Sequence, residues 1–175
     1  PSDAPEYRRF DVRVSGSEGL LNRRAFSEKL QMSLQARKQG GGSMALMLID
    51  LDGFKPVNDS HGHDQGDELL IEVAERLRET VRDHDVLCRI GGDEFGVILD
   101  SLVSEKRAVS IAERILHGLS RQPYLLNGQA IRLSASIGIA IYPGDAECET
   151  SLFKQADLAL YQAKEDGRGR WCRAA

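Results

Sequence analysis

The sequence predicts a mixed α/β domain built on one central sheet, and three features carry that expectation. Met44-Ala45-Leu46-Met47-Leu48-Ile49 is a continuous apolar run bounded by glycines and an aspartate, the pattern of a strand covered on both faces. Apolar residues at helical spacing precede and follow it. Gly91-Gly92-Asp93-Glu94 joins two short apolar segments and reads as a hairpin turn, where glycine admits positive φ.

The elements follow in order. Residues 20–39 predict a helix, with Leu21, Phe26, Leu30 and Leu34 at about helical spacing, ended by Gly40-Gly41-Gly42-Ser43. Residues 44–49 form the central strand. Residues 64–82 predict a second helix with Leu70, Val73, Ala74, Leu77 and Val81 on one stripe. Residues 86–90 and 95–99 are the strands of the hairpin. Residues 104–120 are helical, with Ala108, Ile111, Ala112 and Ile115 facing inward, and 131–141 form one long strand. A last helix spans 150–165 and closes at Gly167. From Met44 the order is β, α, β, β, α, β and a helix, the split βαβ pattern of ferredoxin-like α+β folds. Many unrelated functions use that fold, so function has to come from the site.

Composition narrows the classes. The 175 residues suit one domain with a sizeable core, and 41% hydrophobic with 29% charged residues is the balance of a soluble globular protein. No apolar run approaches the roughly 20 residues that span a bilayer. A cytoplasmic domain is expected, with any membrane anchor of the parent protein lying elsewhere. Residues 1–18 read as a linker and 19–175 as the domain. The net charge of −4 argues against a nucleic-acid polymer as partner. Cys88, Cys148 and Cys172 are odd in number and far apart, so neither a disulfide framework nor a zinc site is suggested.

Chemistry concentrates in carboxylates. Asp50 and Asp52 follow the buried strand, and Asp93 and Glu94 sit at the hairpin tip. The split βαβ order makes these places neighbours across paired strands. Carboxylates brought together repel unless some protonate or a cation sits between them. A few hard oxygen ligands suit Mg²⁺, with Mn²⁺ as a substitute, the remaining ligands being water and substrate phosphates. Such an ion polarises a phosphate and activates a hydroxyl. The other reading is a solvated turn, where Gly and Asp commonly occur, and the carboxylates alone leave the two about even.

The surrounding residues shift that balance. Ile90-Gly91-Gly92-Asp93-Glu94-Phe95 carries the name motif of the GGDEF family. Residues 48–59, Gly62-His63-Asp64-Gln65-Gly66-Asp67, Ser136-Ile137-Gly138-Ile139-Ala140, and residues 156–164 with Gly167-Arg168 resemble further blocks of that family, in order and at family-like spacing. The resemblance covers about 19–170. It implies a palm-like fold related to nucleotidyl cyclases, and a diguanylate cyclase that joins two GTP into cyclic di-GMP with release of pyrophosphate. Each domain would hold one GTP, so a second GGDEF domain has to face it in a transient homodimer.

The resemblance also implies roles. Asp50, Asp93 and the Leu51 carbonyl would bind Mg²⁺, and Glu94 would be a metal ligand or accept the 3′-hydroxyl proton. Asp52 is favoured as a supporting or helix-capping residue. Asn58 and Asp67 match guanine-reading positions; by themselves they read as a turn former and a charge near a helix N-terminus. Gly53 and Phe54 would offer backbone N–H groups to phosphates. Lys164 and Arg168, four apart at a helix end, would hold the β- and γ-phosphates. Of the His61/His63 pair, only His63 matches the family, and both are expected to be structural. Arg82 and Asp85 form R-x-x-D five residues before Gly91, the family's inhibitory product site; the plainer reading is an i,i+3 ion pair. Arg114 is expected to add a contact from a neighbouring helix or domain.

Two stretches depart from the family pattern. Ser15, Ser17 and Glu18 stand where an aspartate, leucine and threonine are usual, and Gly169 replaces an asparagine, which is expected to loosen the turn near Arg168. These departures keep open a catalytically weak domain that binds GTP or cyclic di-GMP and regulates a partner. The Gly138–Asp145 stretch resembles domains fused to an EAL phosphodiesterase. An upstream sensory domain and a downstream EAL domain are therefore expected partners in the parent protein. A cyclase making a cyclic mononucleotide shares the fold but lacks this motif set.

Overall fold

The computed structural model describes residues 21–82 and 85–175. The expected linker, residues 1–18, and the whole altered segment at 15–20 lie outside them. Along the chain come α1 (Arg23–Gly40), β1 (Ser43–Asp52), α2 (Phe54–His61), α3 (His63–Thr80), β2 (Val86–Gly91), β3 (Glu94–Leu102) and α4 (Glu105–Ser120). Then follow β4 (Tyr124–Leu126), β5 (Gln129–Ile131), β6 (Ser134–Tyr142), α5 (Glu149–Glu165) and β7 (Trp171–Arg173).

A five-stranded sheet runs β2-β3-β1-β6-β7, antiparallel except between β6 and β7. β3 lies between β1 and β2, as the split βαβ order requires. β1 is central because both its faces find cover. Its odd positions Ala45, Met47, Ile49 and Leu51 pack with Leu70, Val73 and Leu77 of α3 and Ile111 and Ile115 of α4. Its even positions Met44, Leu46 and Leu48 pack with Phe26, Leu30 and Leu34 of α1 and Leu152 and Leu160 of α5. Period-two alternation into two cores is why β1 reads as an unbroken apolar run.

Three details differ from the expected elements. Helix α1 begins at Arg23 because the Asn22 side chain accepts the Ala25 N–H at 2.8 Å and caps it; Leu21 instead bridges to Cys88. The long strand expected over 131–141 is divided. Asn127 and Gly128, at φ 51° and 76°, make a two-residue turn between β4 and β5, a hairpin with its own small sheet. Only Ser134–Tyr142 joins the main sheet. Finally, residues 54–61, outside every expected element, form a helix, α2, and β7 adds a parallel edge strand.

Helix α5 lies unusually close to the sheet. A Cβ on Gly138 of β6 would sit 2.8 Å from Leu160 Cα, and nearer still to the Ala156 carbonyl and the Leu160 nitrogen. Glycine at 138 is a packing requirement, and it sets how far the end of α5 stands from the end of β1.

Candidate active site

Asp50 and Asp52 continue the even stripe of β1, so both face the end of α5. Lys164 and Arg168 meet them as two rungs. Lys164 Nζ contacts Asp50 Oδ2. Arg168 Nη1 lies 3.7 Å from Asp52 Oδ1. The rungs differ in their surroundings. Asp52 also accepts the Ser134 hydroxyl at 2.7 Å, the Ser136 hydroxyl at 2.9 Å and the Gly169 N–H at 3.0 Å. Asp52 is thus an anchor joining β1, β6 and the loop after α5, in line with the supporting role favoured for it. It caps no helix: the N-cap of α2 is Gly53, without a side-chain cap. Gly169 is tied down by Asp52 instead of loosening the turn.

Asp50 has the opposite environment. Glu94 of β3 is its direct cross-strand partner, and like charges placed opposite each other repel. The Leu51 N–H donates to the Asp93 carbonyl at 3.1 Å, which draws the hairpin tip to the end of β1. The two carboxylate-bearing places therefore meet, as expected. Burial, and then Asp50, push the Asp93 carboxyl above the ordinary range. Burial first, then Asp50 and Asp157, do the same for Glu94, while Lys164 and Arg23 act against them.

Asp50 Oδ1 is buried and has no hydrogen-bond partner. An orphaned carboxylate oxygen among carboxyls held above their ordinary range fits a divalent cation, which would satisfy it and remove the repulsion. Among the described residues no group of three or more His, Cys, Asp or Glu side chains, these carboxylates included, is placed to hold a metal ion by itself. An ion held here would have to complete its shell with water and substrate phosphate.

The nucleotide positions follow β1 on α2 and α3, helices that pack on the face of the sheet opposite α5. Gly53 takes a left-handed conformation (φ 76°) and opens α2 with Phe54 buried behind it. Asn58 lies near the end of α2, half-buried, and its Nδ2 is 3.4 Å from His63 Nδ1. Asp67 is exposed in the second turn of α3. His61 bonds the Val57 carbonyl at 3.2 Å and Gln129 Oε1 at 2.9 Å, holding the β4–β5 hairpin against α2; this is the structural role expected of it.

The R-x-x-D residues close on themselves. Asp85 Oδ2 accepts the Arg82 N–H at 3.3 Å and lies 3.7 Å from Arg82 Nε, and the Asp85 N–H donates to the Arg82 carbonyl at 3.0 Å. The Asp85 side chain is fully buried, whereas that of Arg82 is 40% exposed. The local ion pair is thus present, with Arg82 Nε buried and the rest of the side chain part-exposed. Arg114 lines a cavity of about 700 Å³ between α3 and α4 together with Arg76, Arg121 and His117. Arg82 and Asp85 are not among the residues lining that cavity.

Comparison with known proteins decides the family. The family model described as "Diguanylate cyclase, GGDEF domain" matches residues 18–170. The chain belongs to the GGDEF family. The bifunctional diguanylate cyclase/cyclic di-GMP phosphodiesterase MucR of Pseudomonas aeruginosa is 43% identical over 87% of this chain and 22% of its own length. The cyclic di-GMP phosphodiesterase NbdA of the same organism is 42% identical over 90% of this chain and 20% of its own. The chain thus spans about a fifth of these curated relatives. The solved GGDEF domain of TpbB, also from P. aeruginosa, superposes with a TM-score of 0.88 at 37% identity, covering 91% of this chain and 93% of that one.

Four features of this GGDEF domain were not read from the sequence. Ser134 and Ser136 anchor Asp52, and their i,i+2 spacing at the start of β6 is the signal that was available. Asp157 and Arg23 set the charge around Glu94 and line, with Lys154, a cavity of about 310 Å³ beside it. Asp157 lies seven residues before Lys164, two helical turns along one face of α5.

Proposed function

We propose that this domain is a diguanylate cyclase, condensing two GTP into cyclic di-GMP and two pyrophosphates with Mg²⁺. The observation that carries the reading is the orphaned Asp50 Oδ1 within the Asp50–Asp93–Glu94 cluster. Asp50, Asp93, Glu94 and the Leu51 carbonyl would hold Mg²⁺, with Mn²⁺ able to replace it. When bound, the ion supplies Lewis-acid polarisation of the α-phosphate and charge neutralisation. Glu94, with its carboxyl held above the ordinary range, is suited to take the proton of the 3′-hydroxyl as it attacks the α-phosphate of the partner's GTP. Asn58 and Asp67 take the guanine edge. Gly53 and Phe54 offer N–H groups at the start of α2, and Lys164 and Arg168 take the terminal phosphates. Each domain contributes one nucleotide, so the working unit is a homodimer.

Arg82 and Asp85, with Arg114 from a neighbouring domain, are assigned to product inhibition. The part-exposed Arg82 side chain supports this, with Asp85 fixing its backbone. No helix of the described residues is long and apolar enough to cross a membrane. We place the domain in the cytoplasm, joined in its parent protein to a sensory domain and, as the name of MucR suggests, to a phosphodiesterase. The name of NbdA carries the phosphodiesterase activity alone. That favours, as a second reading, a domain that binds GTP or cyclic di-GMP and regulates its neighbour. Incubating the chain with GTP and Mg²⁺ over a range of protein concentrations, with chromatography of the products, separates the two. Cyclic di-GMP formed at a rate rising faster than protein concentration supports the cyclase. GTP binding with no product at any concentration supports the regulatory module.

A further inference from the structure

We infer that Gly66 is a specificity-determining position: its missing side chain lets the Asn58 carboxamide lie where it meets a guanine edge. The inference rests on the guanine-site reading above. Gly66 is buried in α3, between His63 and Asp67. Its conformation is ordinary helix, and its N–H donates to the Gly62 carbonyl at 3.0 Å. No turn or positive φ accounts for glycine here, and within a helix glycine is the weaker choice. Space accounts for it. A Cβ at this position would lie 2.9 Å from Asn58 Cγ and nearer still to Asn58 Oδ1.

The carboxamide is bounded on its other side by His63, whose Nδ1 lies 3.4 Å from Asn58 Nδ2. The main chain of Asn58 is fixed as well, since its carbonyl accepts the Gly62 N–H at 2.9 Å. The amide therefore occupies a slot between the His63 ring and the Gly66 backbone, one residue from the Asp67 carboxylate. A methyl group at 66 displaces the amide by side-chain rotation, because only side-chain atoms of Asn58 stand in its way. Lys164, Arg168 and the carboxylate cluster lie on other elements and keep their places. Base discrimination is lost while triphosphate binding stays.

The test is equilibrium binding of GTP and ATP with Mg²⁺ to the wild type, Gly66→Ala, Asn58→Ala and the double variant, with thermal denaturation of each. We expect Gly66→Ala to lower the preference for GTP over ATP by about tenfold or more, the worth of one well-made hydrogen bond to a charged or buried group. Its ATP affinity should stay within about twofold of wild type, and Gly66→Ala should add nothing in the Asn58→Ala background. An unchanged GTP:ATP ratio in Gly66→Ala, an equal loss for both nucleotides, or a double variant worse than Asn58→Ala overturns the inference. If Gly66→Ala alone does not fold, a folded double variant supports the clash with Asn58, and an unfolded one refutes it. A wild type without preference for GTP overturns the guanine-site reading itself, and the inference with it.

Discussion

Replacing Gly138 by alanine tests how tightly the fold positions the site. The new Cβ would lie 2.8 Å from Leu160 Cα and closer to two other backbone atoms of α5, where ordinary contact begins at 3.4 Å. All three obstacles are main chain, so no rotamer relieves them. Helix α5 has to withdraw by on the order of 1 Å, an overpacking that costs about 1–3 kcal/mol. At roughly 2–4 °C per kcal/mol for a domain of this size, the melting temperature should fall by about 2–12 °C. Turnover should fall further than stability, because α5 carries Lys164 and a misplacement of ~1 Å can cost on the order of a hundredfold. Differential scanning fluorimetry and cyclic di-GMP formation measure the two effects. The control is Gly144→Ala, where a Cβ meets nothing within 4 Å and stability should move by no more than ~0.5 kcal/mol. If Gly138→Ala melts with the wild type, or melts lower while keeping full turnover, α5 is not held by this contact in the way argued.

Other perturbations read other parts of the site. Glu94→Gln should abolish turnover yet raise the melting temperature in chelator, by on the order of 1–3 °C, because it removes the like charge facing Asp50. The pH dependence follows the same sign. The folded Asp93 and Glu94 hold protons more tightly than the unfolded chain, so wild-type stability should decline as pH rises from the ordinary carboxylate value through their raised folded values. A chelator-treated wild type that shows no such decline relative to Glu94→Gln contradicts the repulsion. Asp52→Asn keeps the shape but not the charge that receives two hydroxyls and the Gly169 N–H, and should cost about 1–3 kcal/mol in urea denaturation. Tyr124 is buried, donates to the Leu119 carbonyl at 2.7 Å and has its phenol pushed up to about 12. Alkaline titration followed by phenolate absorbance should show one tyrosine ionising only near pH 12, with Arg76 stacked 3.6 Å from its ring centroid.

The parts of this molecule legible in the sequence were those governed by local pattern. β1, buried on both faces, and the apolar stripes of α3 and α4 follow from period alone. The split βαβ order placed Asp50 beside the hairpin tip. The rest needed tertiary information or a signal that was passed over. Asn127-Gly128 is a strong hairpin signal, yet it lies just before the strand expected to start at Ile131, and three-residue strands on either side are too short to stand out by period. The helical stretch at 54–61 was masked by Pro56 and Asn58, residues that favour turns; Pro56 is tolerated because it lies in the first turn, where its missing N–H has no helical partner. Nothing local shows that Gly138 and Gly66 are there for closeness, since the neighbour each would strike belongs to another element.

The chemistry of the site comes from one difference between two adjacent rungs. Asp50 and Asp52 sit on the same face of the same strand, and each faces a cation from the end of α5. Across the sheet on β6 they face Ser136 and Ser134. β3 ends its pairing with Glu94 opposite Asp50, one rung short of Asp52. Asp52 therefore collects hydroxyls and a backbone N–H, which satisfy it and leave no demand for an ion. Asp50 has Glu94 opposite and Asp93 next to it, and keeps a buried oxygen without a partner. The same residue type, two positions apart, becomes an anchor in one case and an unsatisfied ligand in the other. The hairpin turn at Gly91-Gly92 causes this by stopping β3 where it does. Changing its length by one residue should displace Asp93, whose carbonyl accepts the Leu51 N–H at 3.1 Å, while Glu94 keeps the Asp50 rung, because the buried residues of β3 fix its register against β1 in both cores.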